Sequence, residues 1–80
     1  MENQRIAVLG GGSWATAIVK ILTENLSQVN WWMRDAEAIQ HIEKFDNNPR
    51  YLPAIQFETE RLNMNTNLQE IVDQSDILIV

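Results

Sequence analysis

Three consecutive glycines, Gly10-Gly11-Gly12, run into Ser13-Trp14-Ala15, and these six residues fit the spacing G-x-G-x-x-G/A. Each fixed position has a chemical reason. Glycine at position 10 permits a tight turn out of a preceding strand. Glycine at position 12 leaves no side chain between the backbone and an approaching ligand. Alanine at position 15 is small enough for the following helix to pack close to that strand. The unpaired N–H groups at the helix start, with the helix dipole behind them, then favour an anion. The chemistry this suits is a pyrophosphate, and hence a dinucleotide, held by Gly10, Gly12 and Ala15. A glycine turn with no ligand is the competing reading. It is disfavoured because glycines at a strand–helix junction weaken local order and bring no packing gain of their own.

A second chemical position lies about 20 residues past the glycines, at the end of the next strand, where an acid reads the ribose 2′-hydroxyl of NAD. Here that place reads Met33-Arg34-Asp35, with the arginine first. A guanidinium at 34 suits a 2′-phosphate or stacking on adenine, which leads to the expectation that NADPH is accepted at least as well as NADH. Against this stands a solvated surface arginine. Asp35 serves either as a cap for the following helix or as a ribose ligand. Trp14 falls in phase with the apolar side of its helix, which predicts core packing, with a cofactor-side role as the alternative. Trp31 and Trp32 are adjacent on a strand, so they face opposite ways, each against a helix. His41 is the sole histidine and there is no cysteine, so neither a nucleophilic triad nor a thiolate metal site is on offer; His41 is expected to face solvent.

These positions need a scaffold, and the apolar periodicity supplies one. Residues 4–9 form a short aliphatic run that suits a strand buried on both faces. From Ser13 to about Asn25, Trp14, Ala17, Ile18, Ile21 and Leu22 recur at helical spacing, with Lys20 and Glu24 on the other side. Residues 28–33 read as a second strand. Asp35 opens a helix from Ala36 to Phe45 with Ile39, Ile42 and Phe45 on one face. A loop carrying Pro49 and Pro53 follows, then a weaker strand at 61–64. Thr66 and Gln69 have the form of a capping box for a helix to about Gln74, and residues 76–80 are a last strand. Strand–helix alternation of this length predicts an α/β fold, a Rossmann-like parallel sheet of four strands in the order 3-2-1-4, with residues 1–80 as an N-terminal NAD(P)-binding domain.

Bulk composition narrows the classes. The chain has 80 residues, 45% of them hydrophobic, which suits one small folded domain. Its net charge of -5 offers no basic face for nucleic acid. The run Arg5-Ile6-Ala7-Val8-Leu9 is too short for a signal peptide and no apolar run is long enough for a bilayer, so a cytoplasmic location is expected and Asn25-Leu26-Ser27 is a chance sequon.

The run Ile6-Ala7-Val8-Leu9-Gly10-Gly11-Gly12-Ser13-Trp14-Ala15-Thr16-Ala17 resembles the opening of bacterial-type NAD(P)-dependent glycerol-3-phosphate dehydrogenases. The Trp-Met-Arg-Asp end of the second strand is similar to that family's, as are Asn48-x-x-Tyr51-Leu52-Pro53, the helix at Asn67-Leu68 and Ser75-Asp76-Ile77-Leu78-Ile79-Val80. Ala15 and Ala54 stand where glycine is commoner in the family. The resemblance implies hydride transfer between the nicotinamide of NAD(P)H and C2 of a small substrate, glycerol 3-phosphate or dihydroxyacetone phosphate, in supply of phospholipid synthesis. It also implies cofactor contacts at Ser13, Trp14, Arg34 and Tyr51. It places the catalytic lysine outside these residues, Lys20 and Lys44 matching no such position, and a homo-oligomer is expected. The glycine turn alone would equally serve another dehydrogenase of the superfamily or a non-catalytic dinucleotide sensor; the Ser13-Trp14 pair and the Tyr51-Leu52-Pro53 loop favour the first reading.

The chain stops inside the strand-like run Asp76-Ile77-Leu78-Ile79-Val80, which leads to the expectation of a fragment of a longer protein, with the substrate domain absent. An edge strand left open in this way is a template for pairing. The isolated 80 residues are therefore expected to self-associate and to lack dehydrogenase activity. Light scattering over a concentration series checks this, and a monodisperse monomer at every concentration would contradict it.

Overall fold

A computed structural model describes residues 4–52 and 54–80; Pro53 of the predicted loop lies outside the described residues. The aliphatic run becomes β1 (Ile6–Leu9), followed by α1 (Ser13–Thr23), β2 (Val29–Trp32), α2 (Ala36–Phe45), β3 (Leu62–Asn65), α3 (Leu68–Asp73) and β4 (Ile77–Ile79). One 3-10 turn, Thr59–Arg61, precedes β3 and was not anticipated. The four strands form one sheet in the order β3-β2-β1-β4, as expected, and every pairing is parallel. Element boundaries differ from those predicted by at most two residues, within the usual reach of fraying ends, and those of α2 coincide.

One face of the sheet carries the core. Val8 from β1, Val29 and Trp31 from β2 and Leu62 from β3 pack there against Ala15 and Val19 of α1 and Ala38, Ile39 and Ile42 of α2. Trp31 is fully buried and its ring lies 5.5 Å from that of Phe57. The inward stripe of α1 is rotated by about one residue from the predicted one, because the small residues Ala15 and Val19 let the helix sit close to the sheet. Ile18 and Leu22 still touch the core, whereas Trp14 and Ile21 are 68% and 55% exposed. Core packing of Trp14 is thus corrected. Phe45 also faces out, its ring 4.7 Å from that of His41, with Lys44 over it. Lys20 turns away from Glu24 and donates to the carbonyl of Gln56.

The opposite face carries α3 and a polar seam. Asn30 on β2 and Asn63 on β3 are neighbours in register. The Asn30 amide donates to the carbonyl of Gln74 and to the Ser75 hydroxyl, while Asn63 donates to Asn30 Oδ1 and Gln74 Oε1. A buried asparagine demands such partners, and this network fixes the end of α3 against the sheet. The cap of α3 is Asn67, whose side chain accepts from Glu70 N, rather than the predicted Thr66 with Gln69. Asparagine outranks threonine as an N-cap, so the helix starts one residue later. Trp32 shares this face and donates its indole N–H to the carbonyl of Thr66.

β4 is fastened to β1 by Arg5 and Asp76. Asp76 Oδ2 accepts from the Arg5 backbone N–H at 2.8 Å, and the Arg5 carbonyl accepts from Asp76 N at 2.7 Å. The backbone hydrogen bond from Arg5, reinforced by its guanidinium, holds the Asp76 carboxyl below the usual carboxylate range. The unfolded chain therefore takes up this proton at a higher pH than the folded one. The stabilisation is complete above the ordinary aspartate value and fades as pH falls through the lower folded value. Asp76→Asn is expected to lower the thermal midpoint at pH 7, and the gap to the parent protein is expected to narrow below about pH 4. Melting curves from pH 7 to pH 3 check this; a gap of constant size would contradict it.

Candidate functional site

The glycine turn sits at the carboxyl end of β1, the edge where ligands bind in open parallel sheets. All three of its carbonyls are held by the protein. Gly10 O accepts from the Trp31 indole at 2.6 Å. Gly11 O accepts from the Asn48 amide at 3.2 Å. Gly12 O accepts from the Thr16 hydroxyl at 2.7 Å and the Thr16 N–H at 2.9 Å. Among the described residues, none accepts from the N–H groups of Gly11, Gly12 or Ser13. The start of α1 has no side-chain cap and no acid in its first turn. The turn thus presents donors and a positive helix end that no described residue answers, which is the arrangement that binds a phosphate.

The glycines differ in what they contribute. Gly10 has φ +122, a backbone conformation that side-chain-bearing residues avoid, so the turn itself requires it. Gly12 has an ordinary φ of -78, and a Cβ added there would meet nothing within 4 Å. The fold therefore does not demand glycine at 12; the open space over it is what a ligand would fill.

Beside the turn lies a cleft of about 250 Å³. Gly10, Gly11 and Gly12 form one wall, Trp32 to Asp35 and Ala38 another, and Asn48, Arg50 and Tyr51 the third. Of the residues singled out from the sequence, Gly10, Gly12, Arg34 and Tyr51 line this cleft. Ser13 and Trp14 are exposed on the first turn of α1 outside its walls, and Ala15 is buried beneath, against the sheet. Arg34 is exposed and makes no ion pair with the described residues. Asp35 caps α2, its Oδ1 accepting from Glu37 N at 2.9 Å and Ala38 N at 3.4 Å. A larger cleft of about 480 Å³ opens at the amino-terminal edge of the strands, among Asn25, Gln28, Asn63 and Gln74, away from the helix start and its field.

Asn48 is the residue that sequence reasoning undervalued. It is 2% exposed and joins two segments. Its amide nitrogen donates to Gly11 O and to Thr16 Oγ1, and its Oδ1 accepts from Arg50 N at 3.0 Å and Tyr51 N at 3.3 Å. The loop after α2 is thereby folded back onto the glycine turn, which carries Arg50 and Tyr51 to the cleft. Its signal in the sequence was its place at the head of Asn48-x-x-Tyr51-Leu52-Pro53, a motif that carried the family resemblance without assigning Asn48 a role. Asn48→Ala strands several buried polar groups and is expected to destabilise the domain by about 1–3 kcal/mol. Asn48→Asp keeps the acceptor but sets a carboxylate against Gly11 O, and a similar loss is expected. Denaturant unfolding measures both, and an unchanged midpoint would contradict the role.

Comparison with known proteins agrees with this geometry. Residues 5–80 match the family model described as NAD-dependent glycerol-3-phosphate dehydrogenase N-terminus. The chain is 44% identical over 78 residues to a glycerol-3-phosphate dehydrogenase (NAD(P)+) of Pseudomonas syringae pv. syringae, covering 98% of this chain and 23% of the relative. It is 34% identical to that of Bacillus subtilis, covering 96% of this chain and 22% of the relative. A crystal structure of glycerol-3-phosphate dehydrogenase from Coxiella burnetii superposes with a TM-score of 0.81 at 31% identity, over 99% of this chain and 24% of that one. The chain thus spans about a quarter of the length of the proteins it matches. A parallel sheet in the order β3-β2-β1-β4, a donor-lined glycine turn at its carboxyl edge and these matches have one reading: the chain belongs to the N-terminal family of NAD-dependent glycerol-3-phosphate dehydrogenases.

Proposed function

We propose that this chain holds NAD(P)H for a dehydrogenase that interconverts dihydroxyacetone phosphate and glycerol 3-phosphate. The observation that carries the proposal is the turn with its carbonyls all engaged and the N–H groups of Gly11, Gly12 and Ser13 without an acceptor among the described residues, beside an open cleft. The donor set suits a pyrophosphate, which needs several N–H groups and no carboxylate beside it. The N–H groups of Gly11, Gly12 and Ser13 take the pyrophosphate, with Gly10, whose own N–H is bonded to Trp32 O, shaping the turn and Ala15 setting the helix close to the sheet. Arg34 and Tyr51 take the adenosine side, and Trp14 bounds the site at the helix start. The bound cofactor supplies the hydride for C2 of the substrate. Residues beyond these 80 supply the substrate phosphate site and the proton at the C2 oxygen. The product would feed the synthesis of glycerophospholipids in the cytoplasm, by a homo-oligomeric enzyme. No helix among the described residues is long and apolar enough to cross a membrane.

The test exploits the open space over Gly12. Gly12→Val fits the backbone, and its Cβ meets nothing within 4 Å among the described residues, yet it puts a branched side chain where the pyrophosphate approaches. In the enzyme that carries this chain, cofactor affinity is expected to fall at least about tenfold, or roughly 1.4 kcal/mol, with the protein still folded by its melting curve. Oxidation of NADH and NADPH by dihydroxyacetone phosphate reports the activity. Unchanged affinity in the variant would make the turn a structural feature alone.

A further inference from the structure

Asp35 is the sole acid among the residues lining the cleft, and it stands at the end of the second strand, where a carboxylate would receive a ribose 2′-hydroxyl and repel a 2′-phosphate. Its two oxygens are both engaged. Oδ1 caps α2, and Oδ2 faces Arg50 Nη2 at 3.7 Å. Arg50 reaches this place because Asn48 Oδ1 holds its backbone N–H. Arg34 lines the same cleft with no carboxylate of its own. The ribose end of the cleft therefore holds one carboxylate and two guanidinium groups, a local excess of one positive charge in a chain whose net charge is -5.

We infer that Arg50 is a specificity-determining residue: by pairing with Asp35 it cancels the carboxylate at the ribose end and leaves Arg34 free to pair with a 2′-phosphomonoester, so that NADPH is accepted. The inference rests on the reading of the cleft as a dinucleotide site. A guanidinium matches a phosphate monoester in charge and in bidentate geometry, and the match is lost if an uncancelled carboxylate stands beside it. The ion pair is exposed and contributes little to stability; its effect is on which ligand the cleft admits.

Fluorescence titration of the enzyme carrying this chain with NADPH and with NADH tests the inference. Arg50→Ala uncovers Asp35, and NADPH affinity is expected to fall about tenfold while NADH stays within about twofold of the parent. Adding Asp35→Asn to Arg50→Ala removes the uncovered charge and keeps an oxygen for the α2 cap. NADPH affinity is then expected to recover to within about threefold of the parent. Equal loss of both cofactors would mean that Arg50 only holds the loop, and would overturn the inference, as would no loss at all or no recovery in the double variant. A parent enzyme that binds neither cofactor would overturn the dinucleotide reading itself, a result distinct from the other three.

Discussion

The structure of the site depends on where three carbonyl oxygens point. Those of Gly10, Gly11 and Gly12 accept from Trp31, Asn48 and Thr16. A peptide plane with its carbonyl bound on one side presents its N–H on the other, so fixing the carbonyls fixes the donors. The three partners come from different elements. Trp31 is on β2, Thr16 on α1 and Asn48 in the loop after α2. The turn is thus held by the sheet beneath it, the helix after it and the loop beside it. A glycine turn gains conformational freedom in the unfolded chain and must be ordered from outside; here every ordering contact also aims a donor.

The same contacts reconcile an acidic protein with an anionic ligand. The chain carries 11 acids against 6 basic residues. None of the acids lies in the first turn of α1, and the acid nearest the cleft is paired with Arg50. Local dipoles and two arginines set the potential over the cleft, while the remaining charge is spread over the surface and screened beyond about 8–10 Å. Asn48 links the two parts, since one side chain bonds both the glycine turn and the backbone of Arg50.

Much of this was legible in the sequence, and what was not has physical causes. The sheet order follows from strand–helix alternation and the handedness of crossovers, and the structure has it. The glycine motif has fixed local spacing, so its place at a strand–helix junction was readable. The cap at Asp35 was readable for the same reason, its partners being two and three residues away. The side-chain ties that position the site are long-range: Trp31 reaches Gly10 across 21 residues and Asn48 reaches Gly11 across 37. No periodicity encodes such pairs, so Trp31 reads as packing and Asn48 only as part of a loop motif. Trp14 misled in the other direction. Its helical phase matched an apolar stripe, but Ala15 and Val19 set the depth of α1 and turned the tryptophan outward. The cap of α3 moved from Thr66 to Asn67 because adjacent cap-forming residues compete and asparagine is the stronger cap, which outweighs the capping-box spacing of Thr66 and Gln69.

The central claim is that the backbone N–H groups of the glycine turn bind the pyrophosphate of a dinucleotide. Titration of NADH into isotope-labelled protein, followed by amide proton and nitrogen chemical shifts, observes those groups directly. The account predicts that the largest shifts fall on the amides of Gly11, Gly12 and Ser13, with smaller ones at Arg34 and Tyr51. Shifts that spare the turn and gather instead around Asn30, Asn63 and Gln74, at the opposite edge of the sheet, would contradict it.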